Sequence, residues 1–329
     1  MSQPVYRLLL GLGAAVAFGA VSCATTPDTS GVQVRQLADR IRIEIDGELL
    51  TEYHYQGGSR PFLYPLLAPG GVPLTRAWPI ETGTEEEQDH PHHRSFWFAH
   101  GDVNGHDFWS ESAKAGRTIH EKFLELRSGR DVGLIRSANR LVAQDGTVIG
   151  TDERTLRFYR RAGVRLLDFE VTIHASHGAL RFGDTKEGTF ALRLAETMRL
   201  APNRYHKGKP TGHILNSEGV RDGDTWGKRA RWVDYSGPVR GATYGVTIFD
   251  HPSNPRHPTW WHVRDYGLFA ANPFGIHDFE KKPAGTGDLI VPAGQNITFR
   301  YRILLHPGDA DAAQIAREYE AYARESAKP

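Results

Sequence analysis

The densest group of side chains able to do chemistry lies between residues 89 and 109. Five of the sixteen histidines fall within seventeen residues there, from His90 to His106. Imidazoles change charge near neutral pH and are common metal ligands, so this cluster predicts proton transfer or metal binding. The candidate catalytic residues of the segment are His92, His93 and His100. The candidate substrate contacts are Arg94, Trp97 and Asn104.

The same segment predicts a strand that divides these side chains between two faces. Side chains alternate along a strand, so a strand over residues 92–100 places His92, Arg94 and His100 on one face. His93 and Trp97 then lie on the opposite face.

A divalent metal is the candidate cofactor, and no cofactor is certain. The spacing His90-x-His92 lets one strand offer two imidazoles to one ion, and His100 is the third candidate ligand. A carboxylate would complete a site for zinc, manganese or iron. The alternative is that these histidines hydrogen-bond loops and strand ends.

A second polar group surrounds Glu187, within residues 184–194. Strand alternation directs three apolar side chains to the core, namely Phe190, Leu192 and Leu194. Glu187 and Arg193 then project on the other face, beside Lys186. A carboxylate with charged neighbours suits a general base, so Glu187 is a candidate catalytic residue and the two cations are candidate substrate contacts. A solvated sheet face with cross-strand ion pairs is an equal alternative.

A third group follows three prolines within residues 250–262, which predict a rigid loop rather than a strand. Trp260 and Trp261 are adjacent there, and with His262 and Arg264 they are expected to form a ligand wall. Aromatic faces beside hydrogen-bonding groups suit sugar rings, whose C–H faces are apolar and whose rims are hydroxyls. The candidate substrate contacts are Trp260, His262 and Asn272. The alternative is that the tryptophans fill the core.

The scaffold predicted for these groups is made of β-strands. Residues 40–46 alternate strictly between polar and apolar, and Asp46-Gly47 turns them into residues 48–55 as a hairpin. Further predicted strands are residues 117–127, 133–143, 148–159, 164–174, 189–200, 229–234, 242–249, 267–270 and 296–305. More than ten strands with few helices between them predict an all-β fold, a large antiparallel β-sandwich.

One helix is predicted near the C-terminus, over residues 312–323. Ile315, Tyr319 and Tyr322 lie on one side of it at helical spacing, so this side is expected to dock on the sandwich. No repeat or linker divides residues 32–329, which predicts a single domain.

The first 22 residues predict a lipoprotein signal peptide. A short apolar stretch follows Arg7 and ends in small residues, as export signals do. Residues 20–23, Ala-Val-Ser-Cys, resemble the bacterial lipoprotein box, in which the cysteine is lipidated. Cys23 is the only cysteine, so it has no disulfide partner, and residues 23–31 are expected to form a tether. We therefore expect an exported protein anchored by lipid in the cell envelope, on the periplasmic face or the outer membrane.

Composition excludes several classes of function. The 40 Lys and Arg residues balance 39 Asp and Glu, so no strong field attracts nucleic acid. The glycine motifs of dinucleotide sites and phosphate loops are missing, as is the nucleophile elbow of serine hydrolases. The expected partner is a small sugar or oligosaccharide, with the membrane contacted through the lipid alone.

Several motifs resemble those of the bacterial PmoA-family proteins, essentially a domain of unknown function. They are Leu63-Tyr64-Pro65-Leu66, Pro69-Gly70-Gly71, Asp89 to Arg94, Phe96 to Gly105, Lys186-Glu187-Gly188, Asn272 to Gly275, and His306 to Asp309. Ser95 stands where glycine is expected. The family name refers to methane oxidation, but the methane monooxygenase subunit of that name is an integral membrane protein, so the name looks like a misnomer.

At fold level this family is similar to galactose-mutarotase-like β-supersandwiches. That resemblance implies a histidine as general acid and a glutamate as general base, in a groove on a concave sheet. The roles transfer here by analogy alone, to His92, His93 or His100 together with Glu187.

The combined interpretation is a cell-envelope carbohydrate-active protein. We expect an enzyme that does acid/base chemistry on a sugar through a His/Glu pair, of the epimerase, isomerase or lyase type. One alternative is a non-catalytic glycan-binding lipoprotein that uses its tryptophans as platforms. The other is a metal-dependent lyase or hydrolase built on the histidine cluster.

Overall fold

The computed structural model describes Met1, residues 29–208 and residues 212–325. Its strands are β1 (Val32–Gln36), β2 (Arg40–Ile45), β3 (Glu48–His54), β4 (Phe62–Leu63), β5 (Leu67–Ala68), β6 (Val72–Pro73), β7 (Phe96–His100), β8 (Arg117–Arg127), β9 (Val132–Val142), β10 (Val148–Tyr159), β11 (Arg165–His174), β12 (Leu180–Phe182), β13 (Gly188–Arg193), β14 (His213–Asn216), β15 (Trp232–Val239), β16 (Ala242–Asp250), β17 (Trp260–Val263), β18 (Leu268–Asn272), β19 (Leu289–Val291) and β20 (Asn296–Pro307). The helices are α1 (Ile276–Glu280) and α2 (Ile315–Glu325), with 3₁₀ turns at Glu196–Met198 and Asp222–Thr225.

Two eight-stranded antiparallel sheets carry the fold. The first sheet has the order β1-β2-β3-β4-β7-β13-β18-β17, and the second has the order β14-β15-β16-β20-β11-β10-β9-β8. Two small sheets, β12-β19 and β5-β6, complete the strand pairing. This arrangement confirms the predicted all-β antiparallel fold.

The core lies between the two large sheets because each sheet turns one alternating set of apolar side chains inward. Phe190 and Phe96 of the first sheet meet Phe169 of the second, with ring centroids 4.9 to 5.7 Å apart. Phe190, Leu192 and Leu194 are fully buried in this core, as predicted.

The outer face of the second sheet is covered by helix α2. Ile315, Tyr319 and Tyr322 are buried against Phe249 and Trp232. The predicted helix and its docking side are therefore confirmed. No helix within the described ranges is long and apolar enough to cross a membrane.

The outer face of the first sheet has a floor of small side chains. Cross-strand pairing aligns Trp97, Ala191, Ala270 and His262 in one row across β7, β13, β18 and β17. The two alanines leave room for Trp109 and Tyr266 to pack in one cluster with this row. The candidate site is lined by these two rings.

Three of the predicted boundaries that differ from the structure lie around the candidate site. The strand predicted over residues 92–100 begins only at Phe96, because the chain turns from His90 to His93 and Ser95 has a positive φ value of 56° that interrupts extended backbone. The strand predicted over residues 189–200 ends at Arg193 and continues into a 3₁₀ turn. The loop predicted over residues 250–262 ends in a strand, because the backbone of β17 pairs with β18.

Candidate active site

A cleft of about 580 Å³ opens on the outer face of the first sheet. It is lined by parts of residues 90–93, 107–110 and 185–187, and by the chain at the end of β17. The cleft therefore brings together two of the polar groups singled out in the sequence, around His92 and around Glu187. His262 joins them from the third group.

One wall of the cleft is a stack of four rings. Tyr266 stacks on His90 at 5.1 Å, His90 on His93 at 4.7 Å, and His93 on Trp97 at 5.1 Å between ring centroids. Trp97 is 1% exposed, so it supports the wall from below. Such stacking restrains the imidazoles to one orientation.

His93 is held in one tautomer by Arg193. The Nη1 group of Arg193 donates to Nδ1 of His93 at 3.3 Å, and a guanidinium can only donate. The ring proton of His93 therefore lies on Nε2. Burial, with the positive charges nearby, holds the pKa of His93 well below its usual range. His93 is thus a neutral hydrogen-bond donor at neutral pH.

Arg193 is itself anchored by Asp89. Its Nη2 group donates to Asp89 Oδ1 at 2.7 Å, and Arg76 also donates to this oxygen. His90 lies on the same carboxylate, with Nδ1 2.9 Å from Oδ2. Burial opposes ionisation of Asp89, but the hydrogen bond with His90 and the two guanidinium groups hold its pKa well below the usual range. Arg193, predicted as a substrate contact, instead positions the ring stack.

His262 has the opposite tautomer. Its Nδ1 lies 2.7 Å from the carbonyl oxygen of Lys186, which can only accept, so Nδ1 carries the proton. The Nε2 atom is then a hydrogen-bond acceptor. Burial lowers the pKa of His262 to about 3, so this ring is also neutral at neutral pH. The cleft therefore has one neutral imidazole that donates and one that accepts.

His92 lies beside His93, with ring centroids 4.5 Å apart, and contacts Trp109 edge-on at 6.3 Å. Burial and the charge of Arg60 lower the pKa of His92 to about 4. Arg60 also donates to the backbone oxygen of His92 at 2.6 Å, which fixes this turn.

Glu187 is the carboxylate that precedes β13, and its side chain is 38% exposed. Lys186 Nζ lies 3.1 Å from Oε1. The backbone oxygen of Glu187 accepts from Gly101 at 2.7 Å, which ties this residue to the end of β7. The carboxylate is therefore accessible from the cleft and has one cation beside it.

Asn272 holds the loop that carries Lys186 and Glu187. Its Nδ2 group donates to the backbone oxygens of Thr185 and Lys186, each at 2.9 Å. Its Oδ1 atom accepts from the backbone N–H of Phe274 at 2.8 Å. Asn272, predicted as a substrate contact, thus positions the loop of Lys186 and Glu187 from below.

Two predicted residues lie outside the cleft because they bind backbone groups. His100 is 2% exposed, with Nε2 2.7 Å from the oxygen of Gly183, and burial lowers its pKa to about 4. Asn104 donates to the oxygen of Ala179 and accepts from the N–H of Arg181. His100 therefore does not share the site of His92 and His93.

Arg94 and Trp260 also lie away from the cleft. Arg94 forms a two-pronged ion pair with Glu111, 2.8 Å at the closest, and lines a separate groove. Trp260 is 5% exposed and donates from Nε1 to Glu280 at 2.9 Å. Trp261 is fully buried in the core. The predicted tryptophan platform is therefore not at the surface.

The candidate metal ligands do not form a metal site. His90 and His92 lie in the turn before β7 with ring centroids 5.8 Å apart, and His100 is enclosed on the core side of the sheet. In the described part of the chain, no three His, Cys, Asp or Glu side chains are grouped to hold a metal. The reason is the late start of the strand, which removes the predicted common face.

Two further residues, Arg264 and Tyr266, line the cleft. Arg264 was predicted in a ligand wall with His262, whereas Tyr266 was not predicted. Both lie in the turn between β17 and β18, where the N–H of Gly267 donates to the backbone oxygen of Arg264 at 3.1 Å. Strand alternation ends at this turn, so no periodic pattern indicated Tyr266.

A family model for a family of unknown function, DUF6807, matches residues 40–320. The chain belongs to this family. The PmoA resemblance stays a prediction for this DUF6807 protein. No curated protein matches the chain.

Among solved structures, the DUF6807 chain is similar to a galactose mutarotase related enzyme from Lactobacillus acidophilus, at 10% identity and a TM-score of 0.31, over 84% of this chain and 97% of that one. A galactose mutarotase-like protein from Lactobacillus casei has 10% identity and a TM-score of 0.34, over 84% and 100%. The GH36 alpha-galactosidase AgaA from Geobacillus stearothermophilus has 9% identity and a TM-score of 0.38, over 84% of this chain and 40% of that one. Scores this low assign neither a reaction nor a substrate to this chain.

Proposed function

We propose that this DUF6807 protein is an enzyme that performs acid/base chemistry on a sugar in the cleft of the first sheet. The observation that carries the proposal is the meeting of an accessible carboxylate, Glu187, with two neutral imidazoles of opposite tautomer, His93 and His262. Donors, acceptors and a base in one cleft are what proton transfer on a polyhydroxylated ligand requires.

The shape of the cleft supports a sugar as the ligand. Its volume of about 580 Å³ falls in the range typical of small-molecule sites. Trp109 and Tyr266, which pack in one cluster with Ala191 and Ala270, line the cleft with aromatic rings. A pyranose has apolar C–H faces and a polar rim, so it matches this mixture of rings and hydrogen-bonding groups.

The proposed step is removal of a proton from a sugar carbon next to a carbonyl group. Glu187 takes the proton, the electron pair of the C–H bond forms a carbon–carbon double bond, and the π pair of the carbonyl group moves onto its oxygen. A hydrogen bond from Nε2–H of His93 stabilises the negative charge on that oxygen, and His93 keeps its proton because a neutral imidazole is a weak acid. Nε2 of His262 accepts from a hydroxyl group and orients the ring. Return of a proton from water to the other face of the same carbon, as the electron pair moves back from the oxygen, gives an epimer.

Exchange of sugar protons in heavy water tests the proposal. We expect NMR to show deuterium entering one C–H position of a sugar in the presence of the wild-type protein. Glu187→Gln keeps the shape of the side chain and removes the base, so exchange should fall by at least about 100-fold. Glu153→Gln is the matched control, because this carboxylate is 47% exposed on the second sheet. Exchange at the wild-type rate in Glu187→Gln would contradict the assignment.

The location is a separate proposal, since Cys23 and nearly all of the predicted signal and tether fall outside the described residues. Lipidation of Cys23 would anchor the protein in the cell envelope. Cys23→Ser should then move the protein from the membrane fraction to the soluble exported fraction, as followed by immunoblotting of fractionated cells. Persistence in the membrane fraction would refute the anchor.

A further inference from the structure

Arg264 follows β17 and lines the cleft beside His262. Its guanidinium carbon lies 5.8 Å from the ring centroid of Trp226 and 5.8 Å from that of Tyr266. Contact with two rings restrains the plane of a guanidinium, so this cation is held in place before a ligand arrives.

The guanidinium of Arg264 has no hydrogen-bond acceptor and no carboxylate within ion-pair distance among the residues that the structure describes. Neighbouring cations differ in this respect. Lys186 lies 3.1 Å from Glu187, and Arg193 lies 2.7 Å from Asp89. A half-buried guanidinium offers five N–H donors, and leaving them without acceptors is unfavourable. An anionic ligand would satisfy them.

Neither acid of the cleft lining, Glu187 or Asp107, lies within ion-pair distance of Arg264 in the described part of the chain. Glu187 is beside Lys186. Asp107 accepts from the backbone N–H groups of Trp109 and Ser110, and from the hydroxyl group of Ser110. The ring next to Arg264, His262, is neutral and adds no charge. Among the described residues, Arg264 is therefore the cation of the cleft lining that has no carboxylate within ion-pair distance, which fits a ligand that brings a carboxylate to it.

We propose that the ligand is a hexuronic acid whose carboxylate is bound by Arg264. A guanidinium matches a carboxylate with two parallel N–H···O hydrogen bonds. This inference rests on the proposed sugar site and names its substrate class. It also accounts for the base, because neutralising a carboxylate makes the adjoining C–H more acidic, and this is a proton that Glu187 can take.

Binding measurements on matched sugar pairs test the assignment without any need for turnover. Calorimetry or NMR titration would compare galacturonate with galactose, glucuronate with glucose, and mannuronate with mannose. At least one uronate should bind about tenfold or more tightly than its neutral partner, as expected for a charge-assisted, two-pronged contact. Its methyl ester, which has the shape without the charge, should bind like the neutral sugar.

Variants assign the preference to one side chain. Arg264→Gln should bind uronate and neutral sugar equally, and Arg264→Lys should retain part of the preference. Arg136→Gln is the control, because this arginine is 42% exposed on the second sheet and should leave the preference intact. Circular dichroism spectra that match the wild type would show that each variant is folded.

The outcomes separate this inference from the proposed function. An Arg264-dependent uronate preference without C–H exchange supports the ligand assignment and contradicts the enzymatic proposal. Exchange on a neutral sugar, with equal binding of uronates, refutes the ligand assignment and supports the enzyme. Equal affinity for galactose 6-sulfate and galacturonate refutes a carboxylate site. No binding by any pair refutes both.

Discussion

Replacing Arg193 by methionine tests whether this buried cation organises the wall of the cleft. The guanidinium is fully buried, donates to Asp89 and to His93, and lies 4.8 Å from the ring of Tyr266. Methionine keeps much of the apolar length of the side chain but removes every one of these polar contacts. The variant should therefore be less stable, and His93 should no longer be restricted to the tautomer with its proton on Nε2.

The stability that Arg193→Met should lose depends on how far its partner Asp89 is exposed to water. Removing one member of a fully buried ion pair costs about 3–5 kcal/mol. The Asp89 side chain is 34% exposed and keeps its bond with Arg76, so water and the second guanidinium compensate in part. We expect the free energy of unfolding to fall by about 2 kcal/mol.

The stability lost in Arg193→Met should be larger near neutral pH than at acid pH. The pKa of Asp89 is held below its usual range in the folded protein, so its ionised form adds stability above the unfolded pKa near 4. That contribution disappears as the pH falls through the folded pKa. In Arg193→Met the folded pKa should move back toward its usual range. The difference in the free energy of unfolding between the wild type and Arg193→Met should then be largest near pH 6 and shrink below about pH 4.

Urea denaturation at pH 6 and at pH 3 measures both quantities. Arg136→Met is the control, because Arg136 is 42% exposed and pairs with Glu153 only at 3.5 Å, which predicts a loss below about 0.5 kcal/mol. A decrease in the free energy of unfolding no larger than that of the control would contradict the role given to Arg193. So would a decrease that is the same at both pH values.

Three further outcomes are expected. Nitrogen-15 NMR of histidine-labelled protein at pH 6 should show neutral His93 protonated on Nε2 and neutral His262 protonated on Nδ1; the reverse assignment would contradict the proposed roles. Trp261→Ala should lower the free energy of unfolding by about 3–5 kcal/mol, because this ring is fully buried, whereas a ligand platform would show an affinity loss in a stable protein. Asn272→Ala should cost about 2 kcal/mol and slow sugar exchange, because the loop with Lys186 loses two backbone partners; unchanged exchange would exclude the positioning role.

Much of the fold follows from short-range patterns in the sequence. Alternation predicts that Phe190 and Leu192 face the core and that Arg193 faces away, and helical spacing predicts the docking side of α2. These features depend on a few neighbouring residues, whose periodicity reflects which side meets apolar surface.

The geometry of the site depends on features that a single sequence does not display. A turn from His90 to His93 and a positive φ value at Ser95 replace the first part of a predicted strand face, and neither His90 nor Ser95 is a glycine that would signal this. The neighbourhood of β7, β13 and β17 arises from pairing between segments far apart in sequence. Residue type therefore indicated an acid/base cluster but could not show that His100 leaves it or that His262 joins it.

Chemical rescue is the most direct test of Glu187 as the base in this cleft. Glu187→Ala leaves space where a small carboxylate can bind, so added formate should restore deuterium exchange in proportion to its concentration. His93→Ala should not respond to formate, because it lacks a hydrogen-bond donor rather than a base. Undiminished exchange in Glu187→Ala without formate, or equal rescue of both variants, would contradict the account.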